Sequence, residues 1–174
     1  CLVDIGANLG LFTLIASRHL GPEGRVIAFE PNQTTFADLA GNIAANGCTN
    51  VVTLLAGVSD ATARVAFDPG PAGHSGVAHI SQSGSSAIMV LGGRQVADLI
   101  LNIAGTRRIT IKIDVEGHEL SVLQGGAQVL ARHRPVIVCE SEQRHMSHGG
   151  VRDVKDLTAM GFPVFSRAIH AKGC

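Results

Sequence analysis

Val3-Asp4-Ile5-Gly6-Ala7-Asn8-Leu9-Gly10, with Glu30 closing an apolar run twenty residues beyond Gly10, decides how this chain is read. Leu2 to Ile5 has the character of a short buried strand, Gly6 and Gly10 bracket a tight turn, and a helix is expected from Leu11 onward. Glycine is required where a side chain would block a close backbone approach or forbid positive φ. Arg25 to Glu30 predicts a second strand ending in a carboxylate, placed to accept hydrogen bonds from the two hydroxyls of a ribose. A dinucleotide fold wants Gly-x-Gly-x-x-Gly, with the pyrophosphate on the helix N-terminus. Counted from Gly6, those glycines fall at positions 8 and 11, which hold Asn8 and Leu11. No pyrophosphate cradle is expected. Asp4 and Asn8 beside bare backbone suit instead a ligand carrying an ammonium and a carboxylate.

Outward from this stretch, strands and helices alternate, as in a parallel sheet covered on both faces. Phe36, Leu39, Ala40 and Ile43 repeat at the spacing of one buried helical face, with Thr34 as expected N-cap and Asn46-Gly47 as stop signal. Val51 to Leu55 reads as strand three. Val96, Leu99, Ile100 and Ile103 mark another helix, ended by Gly105. Thr110 to Asp114 is a fourth strand. Leu120, Leu123, Ala127 and Leu130 stripe one further helix, weakened by Gly125-Gly126. Pro135 to Glu140, Val151 to Met160 and Pro163 to Ser166 predict a fifth strand, a helix and a sixth strand. Residues 68–93, rich in Gly and Ser, suggest a hairpin or flap inserted after strand three, or an irregular surface excursion. The expected fold is α/β, a doubly wound, mostly parallel Rossmann-like sheet. One domain over 1–174 is expected, and the opening inside the first strand suggests missing terminal elements.

Lys and Arg number 14 and Asp and Glu number 14, so there is no basic surplus to attract nucleic acid. No apolar stretch is long enough to span a bilayer. Cys1, Cys48, Cys139 and Cys174 form no CxxC pair and no zinc spacing. Cys139, inside an apolar strand, is expected to be a reduced buried thiol, which fits a cytoplasmic location.

The blocks Val3 to Gly10, Ala28-Phe29-Glu30-Pro31-Asn32 and Ile111-Lys112-Ile113-Asp114-Val115-Glu116-Gly117-His118-Glu119 resemble the three signature blocks of the FkbM family of S-adenosylmethionine-dependent methyltransferases. They stand in that family's order, and the similarity runs over nearly the whole chain. The resemblance implies a class I methyltransferase with S-adenosylmethionine as cofactor. It implies O-methylation of a small molecule or a glycan, of the natural-product or polysaccharide type.

Ligands in a doubly wound sheet lie beyond the carboxyl ends of the strands, where the strand order reverses. Asp4, Gly6, Ala7, Asn8 and Gly10 are then expected to hold the methionine half of the cofactor. Glu30, Pro31 and Asn32 would hold the ribose. Val58, Ser59 and Asp60 would flank the adenine, unless Ser59-Asp60 only opens a turn. Asp114 is expected nearest the transferred methyl. Asp114, Glu116, His118 and Glu140 are the candidates for a base that takes the acceptor's proton. Their alternatives are structural. Glu116 and Glu119 suit a helix N-terminus, Lys112 can neutralise neighbouring acids, and His118 can be a solvated first-turn residue. No metal is expected, although Asp114, Glu116, Glu119, Glu140 and Glu142 could bind magnesium, and His145 with His148 a transition metal. Trp 0, Tyr 0 and six Phe leave few rings to stack on a sugar. Two competing functions are a non-catalytic S-adenosylmethionine-binding module and an NAD(P)-dependent oxidoreductase, the latter disfavoured by the glycine pattern.

Overall fold

The computed structural model describes residues 1–70, 78–81 and 84–139. Five parallel strands form the main sheet: β1 (Leu2–Ile5), β2 (Val26–Phe29), β3 (Val51–Leu54), β8 (Thr110–Ile113) and β9 (Val136–Cys139). Their spatial order is β3-β2-β1-β8-β9, so the chain winds outward from β1 and then returns to β1's other side. The strand order reverses between β1 and β8. That is the switch point of a doubly wound sheet, as the alternating pattern predicts. Glu140, Glu142, His145, His148 and the elements expected over 151–166 lie outside the described residues.

Side-chain parity assigns the two faces, because successive residues of a strand point to opposite sides. Val3, Ile5, Ile27, Phe29, Ile111 and Ile113 form the larger core against α3 (Gly93–Ala104), α4 (Glu119–Gly125) and α5 (Ala127–His133). Asp4 and Ala28 point to the other face, with α1 (Leu11–Leu20) and α2 (Gln33–Ala45). The buried residues of α1 are polar: Thr13 bonds Asp4, and Ser17 bonds Asn50. Its Leu11, Phe12 and Ile15 are exposed.

Several local expectations need correction. The N-cap of α2 is Asn32, not Thr34; its carboxamide oxygen accepts from the amides of Thr34 and Thr35. Ala40 and Ala127 are exposed, and Thr35, Val122 and Val129 take the buried positions. The single helix expected over 120–130 is two short ones, α4 and α5, joined at Gly126. Gly125 has a packing reason as well: a Cβ there would overlap the carbonyl of Ser59. Cys139 is half-buried, because β9 is the edge of the described sheet.

The expected hairpin is the outer part of a second sheet. β4 (Gly57–Ser59), β5 (Ala63–Asp68), β6 (His79–Ile80) and β7 (Ser86–Gly92) order as β4-β7-β5-β6. β5 pairs antiparallel with β7 from Ala63↔Val90 to Phe67↔Ser86, so the excursion begins before residue 68. β4 runs parallel to β7 and lies against α4. This packing places Ser59 and Asp60 beside the turn that follows β8.

Candidate active site

Three turns meet near the carboxyl ends of β1, β2 and β8. In the first, Gly6, Asn8 and Gly10 all have positive φ. Gly6 is required there for space as well as conformation, since a Cβ would overlap the Asp114 carbonyl oxygen. Every amide from Gly6 to Gly10 already donates within the protein. The Phe29 carbonyl accepts from Gly6 at 3.1 Å and Ala7 at 2.9 Å. Asn8 donates to Glu30 Oε2 and Leu9 to Asn8 Oδ1. Gly10 donates to the Ala7 carbonyl. A pyrophosphate would need these amides free. The missing cradle is therefore a property of the folded turn as well as of the glycine spacing.

Glu30, 6% exposed, joins the first turn to the second. Its Oε2 accepts from Asn8 and its Oε1 from the Asn32 amide, both at 2.9 Å. Burial pushes its carboxyl above the ordinary value, against the two amides and the Lys112 charge that favour ionisation. A carboxylate oxygen can accept twice, so capacity remains for two ribose hydroxyls. Pro31 and Asn32 are half-buried at the entrance to α2.

Asp4 lies beneath the glycine turn. It is 0% exposed. Its Oδ2 accepts from Thr13 Oγ1 at 2.6 Å, and its Oδ1 lies 3.3 Å from Lys112 Nζ. That second contact is an ion pair without hydrogen-bond geometry. The ammonium facing Asp4 is a lysine's, so Asp4 supports the turn from beneath. Ala7, 4% exposed, packs with Ala28 and Leu39.

The third turn follows β8. Asp114 keeps 34% of its side chain exposed, with Oδ2 3.3 Å from Lys112 Nζ. Glu116 and Gly117 are successive left-handed residues. Glu119, buried, accepts the Gly117 amide at 2.9 Å, which is the helix-start role open to it from sequence. His118 is not a solvated residue. Its Nε2 lies 2.9 Å from Ser59 Oγ, and Ser59 donates to Asp60 Oδ1, also at 2.9 Å. A hydroxyl has one proton, so His118 Nε2 donates to Ser59 and the neutral imidazole's acceptor is Nδ1. Burial pushes the His118 pKa below its ordinary value, against Asp60 and Glu119. The Ser59 hydrogen bond holds the exposed Asp60 carboxyl below its usual range.

Ser59 Oγ therefore bridges His118 and Asp60. Val58 is a core residue, lining a small apolar cavity with Ile5, Ile113 and Val122. The structure brings Asp4, Gly6, Glu30 and Asp114 around Lys112, and His118, Ser59 and Asp60 into a chain beside them. From sequence, Lys112 is legible only as a neutraliser. The strand register, which sets Lys112 opposite Asp4, is the signal that sequence lacks. Among the described residues no group of three or more His, Cys, Asp or Glu side chains could hold a metal ion.

The methyltransferase FkbM domain model matches residues 4–163. The chain belongs to the FkbM methyltransferase family. It is 33% identical over 159 residues to the hexuronic acid methyltransferase AglP of Haloferax volcanii, covering 91% of this chain and 60% of that protein. Methyltransferase 1 of Beauveria bassiana is 27% identical over 143 residues, 71% of this chain and 57% of that one. The chain thus spans about three-fifths of each relative. The crystal structure of methyltransferase FkbM from Methylobacillus flagellatus superposes with a TM-score of 0.62 at 22% identity. That match covers 91% of this chain and 35% of the other, and it shows the shared fold. No helix among the described residues is long and apolar enough to cross a membrane.

Proposed function

We propose that residues 1–174 form one S-adenosylmethionine-dependent methyltransferase domain that methylates a hydroxyl of a small molecule or glycan, in the cytoplasm. The observation that carries the cofactor assignment is the charge and hydrogen bonding of the cleft. The amides of the glycine turn are all used, Asp4 and Asp114 pair with the ammonium of Lys112, and the Lys112 charge also favours ionisation of Glu30. Such a site suits a cationic nucleoside better than an anionic dinucleotide. Glu30 fits the ribose, Gly6, Asn8 and Gly10 the methionine half, and Asp60 remains available to the adenine. The similarity to a hexuronic acid methyltransferase favours a glycan acceptor.

When bound, S-adenosylmethionine supplies an electrophilic methyl group on a sulfonium. Asp114 orients the acceptor hydroxyl and takes its proton on a carboxylate oxygen. Alignment of two reactants can contribute about 7–11 kcal/mol, and a positioned base about 10²- to 10⁴-fold. Asp114→Asn keeps the shape and one acceptor oxygen while removing the charge. We expect kcat to fall by about 10²-fold or more, with donor affinity unchanged, in a transfer assay using isotope-labelled donor. Full activity would remove Asp114 from the mechanism. The second reading then takes over: His118, whose Nδ1 is left as acceptor by the Ser59 contact, would be the base. Donor binding without transfer to any hydroxyl acceptor would favour the non-catalytic module.

A further inference from the structure

We propose that Lys112 is a positioning residue for methyl transfer, clamping the Asp114 carboxylate to the glycine turn of β1. The inference rests on the reading of Asp114 as the residue that handles the acceptor hydroxyl. Lys112 lies on β8 directly opposite Asp4 on β1, at the one place where the strand order reverses. Its ammonium is 2.9 Å from the Gly6 carbonyl oxygen, 3.3 Å from Asp4 Oδ1 and 3.3 Å from Asp114 Oδ2. The ammonium donates a hydrogen bond to the Gly6 carbonyl of the donor turn and pairs by charge with Asp4 beneath that turn and Asp114 on the acceptor side.

A lysine serving only to neutralise buried Asp4 would need one of these contacts. The other two join the glycine turn after β1 to the carboxylate that follows β8. The Lys112 side chain is only 12% exposed, and the Phe12 ring stands 5.3 Å from Nζ, close enough for a cation–π contact. The lysine is thus held from four sides, while the carboxylate it grips stays 34% exposed to the cleft. Backbone contacts fix the two turns as well, through the Asp114 amide on the Ile5 carbonyl and the absence of a Cβ at Gly6. Those contacts set where the Asp114 main chain lies. Lys112 sets where its carboxylate points.

The test is a double-mutant cycle between Lys112→Met and Asp114→Asn. Lys112→Met alone strands the buried Asp4 carboxylate, so the cycle is also run in an Asp4→Asn background, where no buried charge is orphaned. Thermal melting checks folding, calorimetry gives S-adenosylmethionine affinity, and labelled-donor transfer gives kcat. Misplacement by about 1 Å can cost about 10²-fold, so we expect Lys112→Met to lower kcat by about that factor. Donor affinity should stay within about threefold, and added methylammonium should partly restore kcat in Lys112→Ala. With Asp114 already Asn, Lys112→Met should have no further effect on kcat. Independent, multiplying losses would overturn the inference, as would a folded Lys112→Met enzyme with wild-type kcat beside an impaired Asp114→Asn. A fully active Asp114→Asn enzyme would overturn both this inference and the reading beneath it.

Discussion

In the turn after β1 five successive amides donate within the protein and the supporting carboxylate, Asp4, is sealed from solvent. The turn after β8 instead runs through left-handed Glu116 and Gly117 and leaves Asp114 a third exposed. One is a closed, pre-formed surface and the other presents charge. The difference matches the two tasks of a transferase. On the function proposed above, the closed turn after β1 meets the methyl donor and the exposed carboxylate after β8 meets the acceptor.

The contrast between the two turns should fail most severely at Gly6. Gly6→Ala adds a Cβ into the Asp114 carbonyl and places an L residue at φ +78. Overpacking costs about 1–3 kcal/mol and a left-handed backbone about 1–2, so chemical denaturation should show a loss of about 2–5 kcal/mol. Gly10→Ala carries the same left-handed cost at φ +94, but its tight contact is the Leu39 methyl at 2.6 Å, a side chain that can move, so it should cost less. Equal losses would mean that the contact between the two turns does not matter to the fold.

A smaller effect is expected at Glu30. Glu30→Gln keeps an acceptor for one backbone amide but removes the charge from the ribose side. A hydrogen bond to a charged group contributes about 1.5–3 kcal/mol, and donor affinity should fall by that amount. Unchanged affinity would place the ribose elsewhere.

The smallest effect belongs to the turn after β8. The folded pKa of His118 lies below its ordinary 6.5. Its contribution to stability is therefore fully present above that value and is lost as pH falls from about 6.5 toward the depressed folded value. Wild-type melting temperature should drop across that window more than that of His118→Gln. Glu30 pushes in the opposite sense at lower pH, because its raised folded pKa favours the protonated fold. Parallel curves for the two proteins would show that the histidine is not held neutral by the fold.

What can be read from sequence follows the range of the interactions involved. The parallel sheet and its switch point are legible because strand and helix periodicities are local. So is the glycine turn, where Gly6, Gly10 and the carboxylate of Glu30 sit at spacings fixed by one βαβ unit. The second sheet is not. The antiparallel pairing of β5 with β7 depends on a register set across an excursion whose turn chemistry gives no local signal. The same limit hides the role of Ser59. Its partner His118 is 59 positions away, and the two meet where β4 packs against α4. Lys112 is visible as a charge next to Asp114, but its contact with Asp4 needs the β1–β8 register. Polar burial misleads too: in α1, Thr13 and Ser17 are inside because Asp4 and Asn50 await them there.

The choice of cofactor is decided by calorimetric titration of the wild-type protein with S-adenosylmethionine and with NAD. A glycine turn whose amides are all internally bonded, beside three carboxylates and the Lys112 ammonium, predicts saturable one-site binding of S-adenosylmethionine and none of NAD at the same concentrations. Tighter binding of NAD would contradict the cofactor assignment, and with it the roles of Glu30 at the ribose and Asp114 at the acceptor hydroxyl.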